Sequence, residues 1–336
     1  MITASPAARL SPSAPDWRDL WRSAVTDADE LLRMLGLDHL AGMLPPGDAG
    51  FALRVPRGFV ARMRPGDPRD PLLLQVLPQL AERDPVPGFV ADAVGDLAAR
   101  EARGVLHKYH GRALLIASGS CAVNCRYCFR RHFPYGEETA AAGQWRQALA
   151  HLRTDPSISE LILSGGDPLA LATHKLEELA RGLADLPHVT RLRIHTRLPV
   201  VLPERIDGPF LAWLQALPLQ KVIVLHANHA NEFDGAVDAA CTALRGAGAT
   251  LLNQAVLLRG INDDADALAA LSERLFAAGV LPYYLHQLDR VQGAAHFEVD
   301  DARAHALVEA VRRRLPGYLV PRLVREVAGD ASKRPL

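Results

Sequence analysis

Apolar positions in this chain recur with two different periods. Across residues 13–40, Leu20, Trp21, Val25, Leu31, Leu32 and Leu35 fall at helical spacing, with Ser13 and Asp16 placed to cap. From Ala41 to Asp70 glycine and proline crowd in (Leu44-Pro45-Pro46-Gly47, Arg64-Pro65-Gly66-Asp67-Pro68), which predicts irregular connection. A further helix is expected over Phe89 to Arg100, so residues 1–104 read as a mainly helical N-terminal segment without strand alternation. Beyond it the rhythm changes. Short runs rich in Leu, Ile and Val predict strands at Ala113–Ala117, Glu160–Leu163, Arg191–His195, Lys221–Leu225, Thr250–Leu257 and Leu281–Leu285. Helical stretches follow them at Trp145–Leu152, Leu176–Leu183, Pro209–Leu217, Ala236–Leu244, Ala265–Phe276 and Ala302–Leu315.

Six strand–helix alternations imply an α/β fold of parallel strands joined by helical crossovers. No sequence self-similarity accompanies them, so they are units of one fold and not tandem repeats. A complete eight-unit barrel takes about 250 residues. The stretch 105–318 is shorter, which favours a partial, open six-unit βα barrel over a doubly wound sheet, followed by a short C-terminal segment, 319–336. In either architecture the chemistry belongs at the C-terminal ends of the strands.

Charge and composition narrow the possibilities. With 38 basic against 38 acidic side chains, no broad field favours nucleic acid or an anionic membrane as partner. No apolar run approaches the ~18 residues of a membrane span, and the best, Leu72–Leu80, is interrupted by Gln75, Pro78 and Gln79. Met1–Pro6 lacks a charged region followed by an apolar one, so no signal peptide is expected. Three of the four cysteines lie within eight residues and Cys241 stands apart. That is a poor disulfide framework, and a reducing, cytoplasmic compartment is expected. Only four lysines (Lys108, Lys175, Lys221, Lys333) accompany 34 arginines, which leaves few candidates for covalent lysine chemistry.

The sharpest motif is Cys121-Ala-Val-Asn-Cys125-Arg-Tyr-Cys128, immediately after the first predicted strand. Three thiolates in one loop can converge on a soft-metal centre. A cubane iron–sulfur cluster needs one ligand for each of four irons, so three protein sulfurs leave one iron open for a ligand to be reduced. Structural zinc, with His132 or His110 as fourth ligand, is the alternative.

At these residues the chain resembles the radical S-adenosylmethionine enzymes. The string Gly119-Ser-Cys-Ala-Val-Asn-Cys-Arg-Tyr-Cys-Phe-Arg-Arg-His132 is similar to the lysine 2,3-aminomutase family, above all to the branch that makes β-lysine for elongation factor P, and the similarity runs from about Phe51 to Leu336. The resemblance implies a [4Fe-4S] cluster on Cys121, Cys125 and Cys128. It implies S-adenosylmethionine against Ser164, Gly165, Gly166 and Asp167 after the second strand, with His226 ending strand four and Gln254 in strand five. It also implies pyridoxal 5'-phosphate on Lys333, in Gly329-Asp-Ala-Ser-Lys-Arg-Pro, with Lys108, Tyr109 and Arg112 facing the phosphate. Arg130 corresponds to the carboxylate-binding arginine, and Asp289 and Glu326 to the two acids for the ε-ammonium; free-lysine mutases carry aspartate where Glu326 stands.

Without the resemblance these residues read blandly. S-G-G-D-P is a turn, His226 and Gln254 are hydrogen-bonded core polar groups, and Lys333 is a frayed, solvated tail. With it, the expected activity is isomerisation of free L-lysine to β-lysine, in the R form, by 1,2-amino migration. The product is expected to pass to a ligase acting on elongation factor P, with a reductant such as flavodoxin or ferredoxin supplying electrons. Longer relatives continue past the lysine into a zinc-binding tail, so no structural zinc is expected here. Two other readings stand: a mutase for another amino acid such as glutamate, whose site should lack a carboxylate at Asp289, and a zinc-stabilised binding module without catalysis.

Overall fold

The computed structural model describes residues 16–45, 51–143 and 145–336. Ser13, Met1–Pro6 and the Pro46-Gly47 pair lie outside them. The first helical period is divided between α1 (Trp17–Arg22) and α2 (Ala28–Met34). Asp16 caps α1, accepting from the Arg18 N–H at 2.8 Å, and Asp27 caps α2, accepting from that of Glu30 at 2.7 Å. Between the helices Val25 bridges to Val55, and α3 (Arg57–Val60) is a single turn within the Gly/Pro-rich stretch.

The helix expected over Phe89–Arg100 is absent, and the chain there makes successive turns. The Asp92 carboxylate accepts from the backbone N–H groups of Asp96 (2.9 Å) and Leu97 (3.0 Å), offering them an alternative to a helical ladder. Gly95 between them takes φ 68°, a left-handed conformation that ends any helix. Two short strands that the pattern did not signal follow, β1 (Arg100–Ala102) and β2 (Val105–Tyr109).

The barrel then runs β3 (Arg112–Ser118), α4 (Arg146–Thr154), β4 (Glu160–Gly165), α5 (Thr173–Leu183), β5 (Arg191–Thr196), α6 (Leu198–Val201), α7 (Gly208–Ala216), β6 (Gln220–Leu225), α8 (Gly235–Gly246), β7 (Ala249–Val256), α9 (Ala265–Ala277), β8 (Leu281–His286), α10 (Asp301–Arg312), β9 (Arg322–Arg325) and β10 (Arg334–Pro335). All six predicted strands are present, and their order in the sheet is their order in the chain. From β3 to β9 every neighbouring pair is parallel. β9 adds a seventh parallel strand, and antiparallel pairs (β1–β2–β3 and β9–β10) flank the two edges. The sheet is not closed, as expected of a partial barrel.

Local chemistry explains the repetition. Helix α5 buries Leu176, Leu179 and Leu183, one stripe at helical spacing. Asp207, Asp234, Asp264 and Asp300 each cap a crossover helix through the carboxylate, so strand ends pass into helices by the same device. Buried residues from Trp17 to Leu77 belong to the same apolar cluster as the barrel strands and helices, so the N-terminal segment closes over the barrel without a core of its own. Among the described residues, no helix is long and apolar enough to cross a membrane.

One seam positions the site. The loops leaving β3 and β4 are stitched together by the Gly166 N–H to the Ser118 carbonyl (2.7 Å) and the Asp167 N–H to that of Ser120 (2.8 Å). The backbones approach so closely that a Cβ on Gly166 would stand 2.6 Å from the Ser120 oxygen. Gly166→Ala must therefore push two backbones apart. We expect it to lower stability by about 1–3 kcal/mol, read as a reduced urea midpoint; an unchanged midpoint would mean that the seam has slack.

Candidate active site

The cysteine loop leaves the C-terminal end of β3 and is held from outside by the N-terminal segment. The Asn124 N–H bonds the Arg54 carbonyl at 3.0 Å, and that of Arg126 the Gln75 carbonyl at 2.9 Å. The fully buried Arg126 guanidinium grips Glu82, which also accepts from Arg131. Within the loop the Cys128 N–H bonds the Cys125 carbonyl at 3.0 Å. None of the three cysteines forms a disulfide. Burial, reinforced by the other cysteines, pushes the Cys121 thiol well up and that of Cys128 up to about 11. Thiols that oppose one another's ionisation are relieved by a bound cationic centre, so the loop fits a metal cluster. Among the described residues, no three His, Cys, Asp or Glu side chains converge as ligands of a single ion would. His132 Nε2 lies 3.1 Å from the Gln292 carbonyl oxygen.

The neighbouring loop, after β4, carries Ser164 to Pro168. The Ser164 hydroxyl accepts from Arg130 Nη1 at 2.9 Å, and the Tyr135 hydroxyl donates to the Gly165 carbonyl at 3.0 Å. The Asp167 carboxylate accepts from the backbone N–H groups of Leu169, Arg197 and Leu198 and from the Thr196 hydroxyl, while burial pushes it up to about 6. That side chain braces the loops after β4 and β5 from inside. His226 and Gln254 are neighbours, their Nε2 atoms 3.0 Å apart, and the buried Gln254 Oε1 has no partner. Burial pushes His226 down to about 3, so its ring is neutral. It packs T-shaped against the His195 ring, 5.7 Å between centroids.

A cavity of about 730 Å³ opens beside these loops and brings together Lys108, Tyr109, Arg112, Arg130, Ser164, Asp289, Glu326 and Lys333. The cysteines, Gly165, Gly166, Asp167, His226 and Gln254 do not line it. Its charged groups form an alternating chain. Glu326 accepts from Lys333 Nζ at 2.8 Å and from Lys108 Nζ at 3.0 Å. Lys108 pairs with Asp96 at 2.6 Å, and the other Asp96 oxygen accepts from Arg130 Nε, also at 2.6 Å. Burial alone would raise the Glu326 carboxyl, but Lys333 and Lys108 outweigh it and hold it well below the usual range. Asp289 contrasts with it: burial, then the Glu326 charge, pushes it up to about 7, and its buried Oδ1 has no partner.

Aromatic and neutral polar groups complete the walls. Lys333 Nζ stands 5.9 Å from the Tyr284 ring centroid, and the Arg112 guanidinium lies 4.9 Å above the Tyr109 ring with its buried Nε unpartnered. His195 and His286 also carry unpartnered Nε2 atoms, and burial pushes both rings well below the usual histidine range. Of these groups, Asp96, His195, Tyr284 and His286 were not foreseen. The histidines had a signal, as polar residues at the C-terminal ends of apolar strands β5 and β8. Asp96 had none, because it sits in the segment that read as a helix.

The 4Fe-4S single cluster domain family matches residues 110–188, which contain the whole cysteine loop. The chain is 49% identical over 328 residues to the L-lysine 2,3-aminomutase of Escherichia coli (strain K12), covering 97% of this chain and 96% of that protein. It is 44% identical over 333 residues to the L-lysine 2,3-aminomutase of Haemophilus influenzae, covering 97% and 98%. A radical SAM methyltransferase from Sphaerobacter thermophilus superposes with a TM-score of 0.48 at 18% identity, over 66% of this chain and 68% of that one. Identity of this degree along nearly the full length of both sequences means that the chain belongs to the L-lysine 2,3-aminomutase family.

Proposed function

We propose that this protein isomerises L-lysine to β-lysine as a radical S-adenosylmethionine enzyme, moving the amino group from the α- to the β-carbon. The observation that carries the reading is one cavity holding Lys333, Arg130 and an Asp289 carboxylate with a buried oxygen lacking any partner, beside a loop of three cysteines. The names of the E. coli and H. influenzae relatives point the same way. When bound, the cluster and S-adenosylmethionine supply one-electron chemistry that yields a carbon radical, and pyridoxal phosphate supplies a π-system across which nitrogen can migrate.

The chain's own residues position and exclude. Cys121, Cys125 and Cys128 hold three irons. Ser164, the Gly165–Gly166 backbone, His226 and Gln254 face S-adenosylmethionine, with the unpartnered Gln254 oxygen as a ready acceptor. Lys333 carries pyridoxal phosphate, and Arg112, whose Nε is unpartnered, meets the phosphate with Tyr109. Lys108 joins them, already neutralised by Asp96 and Glu326. Arg130, oriented by Asp96 and Ser164, receives the substrate carboxylate. Asp289, with its unpartnered Oδ1, and Glu326 would receive the ε-ammonium. The uncharged rings of His195, His226 and His286 leave both carboxylates to that ammonium. The cysteine string's likeness to the elongation factor P branch supports (R)-β-lysine as product, a ligase acting on elongation factor P as its recipient, and a flavodoxin or ferredoxin as electron donor. Glutamate is disfavoured, since its second carboxylate would meet Asp289 and Glu326.

Three measurements test this reading. Cys125→Ala should abolish the brown absorbance of the anaerobically reconstituted protein together with all turnover; a colourless wild type holding tightly bound zinc would refute the cluster. Borohydride reduction of the pyridoxal-loaded protein, followed by peptide mapping, should place the label on Lys333, and a label on Lys108 would show the assignment to be wrong. Asp289 must be ionised to hold an ammonium, so lysine affinity should rise with pH, up to tenfold per unit, and level off above about 7. Asp289→Asn should flatten that dependence and weaken binding by about 2–5 kcal/mol, measured by calorimetry across pH.

A further inference from the structure

Arg197 follows β5 directly, is 5% exposed, and had no place among the expected site residues. Its Nη1 donates to Cys125 Sγ at 2.7 Å and to the Tyr127 hydroxyl at 2.7 Å. Its Nη2 donates to Gln75 Oε1 at 2.6 Å and to Glu232 Oε2 at 2.9 Å. The guanidinium is thus fixed on four sides, with the Phe59 ring 5.5 Å away. A guanidinium stays protonated at any ordinary pH, and the Glu232 carboxylate lies against it. Tyr127 lies between Cys125 and Cys128 in the loop, and its hydroxyl also accepts from Asn228 Nδ2 at 2.6 Å. The Arg197 backbone N–H is taken by Asp167 at 2.7 Å, which sets where the side chain starts.

A fixed cation donating to one cluster sulfur has a chemical consequence. Reduction adds one electron, hence one negative charge, to the cluster. Hydrogen bonds to its sulfurs and nearby positive charge stabilise the reduced form more than the oxidised one and raise the potential. We propose that Arg197 is a positioning residue for electron entry: through its N–H···S bond to Cys125 it raises the reduction potential of the cluster held by Cys121, Cys125 and Cys128. The electron comes from an external low-potential one-electron donor. No bond forms or breaks in the step, and Arg197 keeps its proton throughout. Glu232 sets the size of the effect, because it neutralises part of the same guanidinium. This inference rests on the cluster reading above.

The experiment is a redox titration of the anaerobically reconstituted holoenzyme, followed by electron paramagnetic resonance, with iron and sulfide measured on each sample. At a fixed poise, Arg197→Gln should lower the reduced-to-oxidised ratio roughly tenfold, about 59 mV for a one-electron couple. Arg197→Lys keeps the charge without the fork and should lie between wild type and Arg197→Gln. A fully loaded Arg197→Gln protein with an unmoved midpoint overturns the proposal. If Arg197→Gln does not load, the wild type decides. Grown on arginine labelled with ¹⁵N in the guanidino group, its reduced cluster should show a ¹⁵N coupling that is lost in labelled Arg197→Lys. A coupling that is absent, or that persists in that variant, overturns the proposal. A wild type that binds iron and sulfide while the midpoint ignores Arg197 spares the cluster reading; a wild type that takes up no cluster overturns both.

Discussion

The site depends on a run of alternating charges, Lys333–Glu326–Lys108–Asp96–Arg130, that crosses four separate parts of the chain. Asp96 comes from the turn-rich segment before the sheet, Lys108 from the edge hairpin, Arg130 from the cysteine loop, and Glu326 and Lys333 from the C-terminal hairpin region. Each of these groups is largely buried, and removing one partner from such a pair leaves an uncompensated charge costing about 3–5 kcal/mol. The alternation therefore acts as a closure that no single segment can make. It also keeps a C-terminal lysine inside the cavity, where a free tail would leave it in water.

Around that run the molecule separates rigidity from reactivity. The cysteine loop is clamped outside by Glu82 and Gln75 and inside by Arg197, while Asp167 ties the loops after β4 and β5 to each other. These bonds tie separate segments together and leave Gln254 Oε1, Arg112 Nε, Asp289 Oδ1 and the Nε2 atoms of His195 and His286 among the polar atoms with capacity to spare. Buried polar atoms without partners are rare in folded proteins, and here several of them gather near one cavity. The two carboxylates intended for one ammonium are tuned in opposite directions: Glu326 is held ionised by two lysines, and Asp289 is poised near neutrality by burial. A site so arranged meets an incoming cation with one charge ready and one induced.

Much of this was legible before folding was considered. Strands β3, β4 and β6 carry runs of Leu, Ile and Val because central parallel strands are covered on both faces, and the crossover helices carry stripes such as Leu176, Leu179 and Leu183. The short edge strands β1, β2, β9 and β10 were not legible, since two to five residues seldom establish a period. The helix expected at Phe89–Arg100 failed for a local reason: Asp92 and Gly95 redirect the backbone there, and apolar spacing cannot register either effect.

Sequence by itself determined the chemistry that lies close together along the chain: three thiols in eight residues, paired glycines after a strand, and a lysine among very few. It did so because such motifs work through local spacing, which survives without a fold. Tertiary structure alone decided which distant groups share a volume. Asp96 beside Arg130, Arg197 beside Cys125, and Glu326 between Lys108 and Lys333 are contacts across 34, 72, and 218 and 7 residues of chain. Burial then decided their protonation, because a carboxylate or imidazole acquires its charge from the solvent and partners left to it, and those exist only once the barrel has formed.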